Sequence, residues 1–87
     1  MNTTTQARIA AIRNRLVDLN LDALMVSIQE NRYYLSGFRA EDSQFDESAG
    51  VLIISGRELV LATDSRYDLQ AQVEAVGYDV IGYPKGL

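Results

Sequence analysis

Apolar residues recur every three or four positions near the start of the chain and form short continuous runs farther along it. Ile9, Ile12, Leu16 and Leu19 follow the first pattern. This spacing predicts a helix over about 5–20. Thr3 followed by Gln6 fits a capping box at its start, and Asn20 suits a left-handed residue at its end.

Four short apolar runs predict strands. They are DALMVSI (22–28), GVLIIS (50–55), ELVLAT (58–63) and YDVIGY (78–83). Only Gly56-Arg57 separates the second run from the third, which predicts an antiparallel hairpin with a type II′ turn. Because the hairpin runs are apolar throughout, both faces of the sheet are expected to be covered.

Two further helices are predicted between these runs. A short one over 30–35 ends at Ser36-Gly37, and the polar segment 39–49 follows as a loop. A longer helix over 65–76 is expected to bury an apolar stripe and to end at Gly77. The stripe consists of Leu69, Val73 and Val76.

The order of these elements predicts an α/β domain with a three-layer mixed sheet. We expect the strand order 3-2-1-4, with the strand at 22–28 between 50–55 and 78–83. Strand 2, at 50–55, is then the only strand antiparallel to the others, and the helix over 65–76 makes a right-handed crossover. The strand at 78–83 would lie at an edge, so self-association through Val80 and Ile81 is expected.

Composition restricts the class of protein. The chain has 87 residues, 47% hydrophobic and 23% charged, which is typical of one globular domain. A net charge of −4 argues against binding to nucleic acid or to an anionic membrane surface. No apolar run approaches the roughly 20 residues of a membrane span, and the N-terminus lacks the apolar region of a signal peptide. We therefore expect a soluble, cytoplasmic protein.

The absence of histidine and cysteine restricts the chemistry. Ordinary zinc sites, Ser-His or Cys-His catalysis and disulfides all need one of these residues. Neither a GxGxxG nor a GxxxxGK[ST] sequence is present to cradle phosphate. We expect no catalytic residue, no metal site and no cofactor within this chain.

Two groups of acidic residues have a functional and a structural interpretation. The loop acids are Glu41, Asp42, Asp46 and Glu47. They suit either a hard-metal site or a solvated loop, and the solvated loop is favoured. Asp64 follows a strand, where catalytic carboxylates are common, but helix capping is favoured, with Arg66 as a tether.

The stretch ENRYYLSGFR (30–39) is the best candidate for a binding surface. Tyr34, Leu35 and Phe38 share one side at helical spacing, so most of this cluster is expected to be packing. Arg39 beside an aromatic residue at a loop mouth suits a bidentate contact with a carboxylate. Two interpretations stay open: Phe38 and Arg39 bind substrate, or Phe38 is core and Arg39 pairs with an acid of the following loop.

Three blocks in order carry a family resemblance. LDALMVSIQENRYYLSGF (21–38) and AGVLIISGRELVLATDSRY (49–67), with the helix start that follows, resemble the N-terminal domain of the creatinase/prolidase/Xaa-Pro aminopeptidase family, the pita-bread metallopeptidases. The resemblance covers about residues 8–83. The acidic loop between Phe38 and Ala49 departs from it, because many relatives have a short Gly/Ser-rich connection there.

The resemblance implies a non-catalytic N-terminal domain with a ribonuclease H-like sheet, taken from a proline-specific metallopeptidase. That enzyme would be similar to an Xaa-Pro aminopeptidase or Xaa-Pro dipeptidase acting on a peptide. In such enzymes a separate catalytic domain binds two manganese, cobalt or zinc ions through two Asp, one His and two Glu. The first domain narrows substrate access and contributes to oligomer contacts. In creatinase-type relatives, aromatic and arginine side chains of this domain contact the substrate.

The resemblance further implies that this chain is truncated at its C-terminus, that the catalytic domain is absent, and that the parent protein is a homo-oligomer. One alternative is a free-standing binding or assembly module. Another is a ribonuclease H-like nuclease, which is disfavoured because Met25-Val26 occupy the part of the first strand where a metal-binding carboxylate is needed.

Overall fold

Three helices and four strands form close to the predicted positions. The computed structural model describes residues 2–40 and 49–83. In chain order the elements are α1 (Thr3–Asp18), β1 (Ala23–Val26), α2 (Gln29–Ser36), β2 (Gly50–Ser55), β3 (Leu59–Asp64), α3 (Asp68–Glu74) and β4 (Asp79–Tyr83). A 3-10 turn, Ser65–Tyr67, precedes α3. The predicted mixed α/β class is confirmed.

The ends of α1 show one wrong prediction and one confirmed prediction. Asn2, rather than Thr3, caps the helix, since its Oδ1 accepts the backbone N–H of Thr5 at 2.8 Å. The helix therefore begins one residue too early for the expected capping box. Asn20 has φ 56°, which confirms the left-handed residue after the helix.

The β2–β3 hairpin closes through a serine side chain. Ser55 Oγ accepts the backbone N–H of Glu58 at 2.9 Å and that of Arg57 at 3.3 Å. Gly56 is not among the described glycines with positive φ, which are Gly37 and Gly77. The predicted type II′ turn is therefore wrong, because it requires a positive φ at its first central residue.

The sheet order differs from the predicted 3-2-1-4. The strands lie in the order β1-β2-β3-β4, with β4 parallel to β3 and β2 antiparallel to both of its neighbours. The direction predicted for strand 2 is confirmed, and so is the position of the last strand at an edge. The ribonuclease H-like order is wrong because the short segment around α3 returns the chain to the free edge of β3 instead of crossing three strand positions.

One face of the sheet carries the core. Val26, Leu52 and Leu61 are aligned across β1, β2 and β3, and all three are buried. They join one hydrophobic cluster with residues from all three helices, including Ile9, Leu35 and Ala71.

The opposite face is open. Met25 and Ile53 are register partners there and are 69% and 36% exposed, and Ile81 on β4 is 53% exposed. Within 2–40 and 49–83 the domain thus has two layers rather than the expected three. The strands are apolar on both sides, but the helices described cover only one.

The orientation of α3 reverses the sequence prediction. Its predicted core stripe points to solvent, with Leu69 74% and Val73 77% exposed, while Ala71 and Ala75 are buried. Small side chains allow the helix to approach the sheet closely. The predicted end of this helix is wrong by two residues, because α3 ends at Glu74 with Ala75 as its C-cap; Gly77, with φ 92°, is left-handed but lies beyond the C′ position.

Candidate functional site

The chain turns sharply where α2 ends. Gly37 has φ 85°, a conformation that glycine adopts without the steric cost met by other residues. A Cβ atom added at Gly37 would lie 3.0 Å from the carbonyl oxygen of Glu74. The glycine therefore allows both the turn and the close approach of this loop to α3.

Phe38 points inward from this turn. Its side chain is 1% exposed and belongs to the hydrophobic core. Its backbone N–H donates to Ser36 Oγ at 3.0 Å. Phe38 therefore does not project outward as expected for the wall of an open pocket, and its position agrees with the packing interpretation.

Arg39 is exposed directly beside the buried Phe38. Its backbone N–H donates to Glu74 Oε1 at 2.8 Å, and Gln70 Nε2 donates to the same oxygen at 3.1 Å. The guanidinium carbon lies 5.9 Å from the centroid of the Tyr33 ring. The backbone of Arg39 is thus held by α3, while its side chain extends along α2.

A shallow cavity of about 280 Å³ lies where Arg39 meets α2. It is lined by Gln29, Glu30, Tyr33 and Arg39. The lining offers a cation, an acid, an amide and an aromatic face. Such a set suits the polar end of a ligand, because arginine binds carboxylates with two parallel hydrogen bonds.

Arg32 is a residue of this region that sequence reasoning missed. It is fully buried, and its terminal nitrogens donate to Ser27 O at 2.7 Å and to Ala40 O at 3.2 Å. The only signal in the sequence is its spacing, three residues before the buried Leu35. An arginine at that spacing is usually assigned to the surface.

Tyr34 is not core, contrary to the expectation that it shares a buried side with Leu35 and Phe38. It is 52% exposed, and the Arg8 guanidinium stacks on its ring at 3.7 Å from the centroid. Arg8 also donates to Tyr34 O at 2.8 Å. This contact joins α1 to α2, so Tyr34 serves packing between helices at the surface.

Asp64 acts as a cap, as favoured. Its carboxylate accepts the Arg66 backbone N–H at 2.9 Å and the Arg66 guanidinium at 3.1 and 3.2 Å. Arg66 is thus the tether that the sequence predicted. These contacts account for the buried carboxylate at the end of β3 without a catalytic role.

Tyr78 holds the C-terminal end of α2 by a hydrogen bond. Its hydroxyl donates to Leu35 O at 2.6 Å. Burial raises the pKa of Tyr78 to about 12, because the ionised form loses solvation, and the nearby Arg13 opposes this shift. The neutral, hydrogen-bonding form therefore persists well above the ordinary range of tyrosine.

The described part of the chain does not fit a metal. Residues 2–40 and 49–83 contain no group of three or more His, Cys, Asp or Glu side chains placed to hold an ion. The acids at 41–47, for which a metal-binding alternative was open, lie outside the described residues. None of the helices described is long and apolar enough to cross a bilayer.

Comparisons with known proteins agree with the fold. The model of the Creatinase/Prolidase N-terminal domain family matches residues 8–86. The chain is 31% identical over 74 residues to an uncharacterized peptidase of Bacillus subtilis, YqhT; the match spans 85% of this chain and 19% of that protein.

Two solved structures are similar over most of the chain. An Xaa-Pro aminopeptidase from Streptococcus pyogenes has a TM-score of 0.82 at 31% identity, covering 95% of this chain and 59% of that one. The N-terminal domain of the cytoplasmic peptidase PepQ from Mycobacterium tuberculosis has a TM-score of 0.75 at 33% identity, covering 88% and 55% respectively.

The chain spans about one fifth of the length of its curated relative, so only one part of such a protein is compared. Within that part the sequence match runs from α1 to beyond β4, and the fold is shared with the solved neighbours. This chain therefore belongs to the Creatinase/Prolidase N-terminal domain family.

Proposed function

We propose that this chain is the non-catalytic N-terminal domain of a metal-dependent Xaa-Pro peptidase. In this proposal it packs on a separate catalytic domain, contributes to oligomer contacts and narrows the access of peptide substrates. In this proposal any manganese, cobalt or zinc is held by that other domain; within 2–40 and 49–83 no group of three or more His, Cys, Asp or Glu side chains is placed to hold an ion. We also propose a cytoplasmic location, since the related peptidase PepQ is a cytoplasmic peptidase.

Arg39 is the residue proposed to meet the substrate. The observation that carries this role is an exposed arginine on a backbone fixed from two directions, by Glu74 and by the buried Phe38. Its side chain borders the polar cavity along α2. In the parent enzyme Arg39 would bind a substrate carboxylate, and Phe38 would support the rim from beneath.

The test is Arg39→Ala in the full-length enzyme. Losing a hydrogen bond to a charged group costs about 1.5–3 kcal/mol, so kcat/KM is expected to fall by roughly tenfold or more. Arg57→Ala is the matched control, because Arg57 is also exposed but lies in the β2–β3 connection. Unchanged kinetics for Arg39→Ala in a normally folded oligomer would remove Arg39 from the substrate site.

A free-standing binding or assembly module is the second candidate. The observation that favours it is the apolar open face of the sheet, where Met25 and Ile81 are more than half exposed. The gene sequence downstream of codon 87 separates the two candidates. A downstream set of two Asp, one His and two Glu favours the peptidase, and its absence favours the module.

A further inference from the structure

We propose that Arg32 is a positioning residue for Arg39. Its buried guanidinium holds the backbone on the far side of Arg39 and thereby directs the exposed arginine toward the substrate carboxylate. This inference rests on the proposed function of Arg39.

The contacts of Arg32 join the two segments that flank α2. One terminal nitrogen donates to Ser27 O, before the helix, and the other donates to Ala40 O, directly after Arg39. The guanidinium is planar and presents its donors in a fixed fork, so one side chain sets the distance between these two carbonyls. The ammonium group of a lysine is a single point and cannot hold both in the same way.

The residues around Arg39 are each held by a separate contact. Phe38 N–H is bound by Ser36 Oγ, which itself donates to Arg32 O at 2.5 Å. Arg39 N–H is bound by Glu74, and Ala40 O is bound by Arg32. Arg32 thus provides a hydrogen bond on the C-terminal side of Arg39, where Ala40 is also packed into the core.

A stabilising role and a positioning role of Arg32 can be tested separately. Arg32→Met leaves Ser27 O and Ala40 O without this donor, which lowers stability by itself. A methionine would fill the same volume beside Leu35 and leave the loop unanchored. An arginine, in contrast, both fills the space and binds Ala40 O beside Arg39, so it can orient Arg39 as well as pack.

The first test is Arg32→Met in the full-length enzyme. We expect kcat/KM, measured well below the thermal midpoint of each variant, to fall at least tenfold, in the same direction as in Arg39→Ala. The control is Arg13→Met, since Arg13 also donates to backbone carbonyls, Ser55 O at 2.7 Å and Glu58 O at 3.5 Å, but away from the cavity. Equal kinetic losses in both variants would overturn the inference.

The double variant Arg32→Met with Arg39→Ala distinguishes an effect of Arg32 that acts through Arg39 from an independent effect on the structure of the enzyme. If Arg32 acts through Arg39, the double variant is no slower than Arg39→Ala alone. If the losses in kcat/KM of the two single variants multiply in the double variant, the inference is overturned, while the role of Arg39 stands. If Arg39→Ala itself has no effect, the proposed role of Arg39 in substrate binding has failed, and hydrogen exchange still tests whether Arg32 positions the backbone.

Hydrogen exchange of the backbone amides in the 87-residue chain tests the positioning role of Arg32 without an activity measurement. In Arg32→Met we expect the Arg39 amide to exchange at least tenfold faster, with the amides of β2 and β3 unchanged. Should this variant not fold, Arg32→Lys keeps the charge and can still donate to one of the two carbonyls, and a smaller acceleration confined to residues 38–40 is expected. An unchanged Arg39 amide, or acceleration spread over the sheet, would overturn the inference.

Discussion

The two faces of the sheet are built from similar residues and have opposite surroundings. Ile54 is fully buried under the helices, whereas its neighbour Ile53 is 36% exposed on the open face. Since both are isoleucines in the same strand, the difference lies in what covers each face. Apolar residues on both faces show that a strand is suited to a second layer, but only the rest of the molecule decides whether that layer is present.

The largest expected effect is the loss of a buried side chain on the covered face. Ile54→Ala is expected to lower the free energy of unfolding by about 2–5 kcal/mol, because it removes buried methyl groups and leaves a cavity. Ile53→Ala is the matched control, with an expected loss of about 1 kcal/mol or less. Urea denaturation measures both.

If Ile54→Ala does not fold, Ile54→Val and Ile53→Val form the milder pair, with about 0.5–1.5 kcal/mol expected for the buried site. Equal losses at the two positions would show that the faces do not differ in the folded protein.

A smaller effect on stability is expected from removing the Tyr78 hydroxyl, which binds the end of α2 on the covered face. Tyr78→Phe leaves Leu35 O without its donor and is expected to cost about 1–2 kcal/mol. Tyr33→Phe is the control, since that ring is half exposed.

The raised pKa of Tyr78 predicts that the free energy of unfolding depends on pH. Its pKa rises from 10.0 to about 12 on folding, so the folded state keeps the proton longer than the unfolded state. The contribution of Tyr78 to stability is therefore complete below pH 10 and is lost as the pH rises toward 12. Denaturation curves should show this loss in the native sequence and a weaker one in Tyr78→Phe; an identical slope would contradict the assignment.

The smallest effect on stability is expected on the open face. Ile81→Lys is expected to change the free energy of unfolding by about 0.5 kcal/mol or less, yet to weaken self-association of the chain. Leu69→Lys is the control, because Leu69 is also apolar and more than half exposed but lies on α3. Sedimentation equilibrium that shows a strictly monomeric native chain, or equal weakening by both variants, would count against association through the edge strand β4.

The sequence predicted which segments form strands and helices, because apolar runs and helical spacing depend on local residues. It did not predict the orientation of α3, since Leu69 and Val73 show the same spacing as a buried stripe. Ala71 and Ala75 are buried instead because small side chains permit close approach to the sheet. The position of β4 beside β3 depends on the crossover path, which no local pattern encodes.

The candidate site was predictable in part. Arg39 stands out in the sequence because an arginine after Gly-Phe at a loop mouth is hard to place in a core, and it is exposed. The inward direction of Phe38 depends on the turn at Gly37 and on the core beneath it. Arg32 could not be identified, because its burial requires two backbone carbonyls brought together by the tertiary fold.

The most direct test of the central proposal is a crystal structure of the full-length enzyme with a bound peptide or product. Arg39 is predicted to extend from the end of α2 toward the catalytic domain, with its guanidinium within about 3 Å of the ligand carboxylate. A bound ligand whose carboxylate is held by other residues, with Arg39 in solvent or paired with a surface acid, would contradict the proposal.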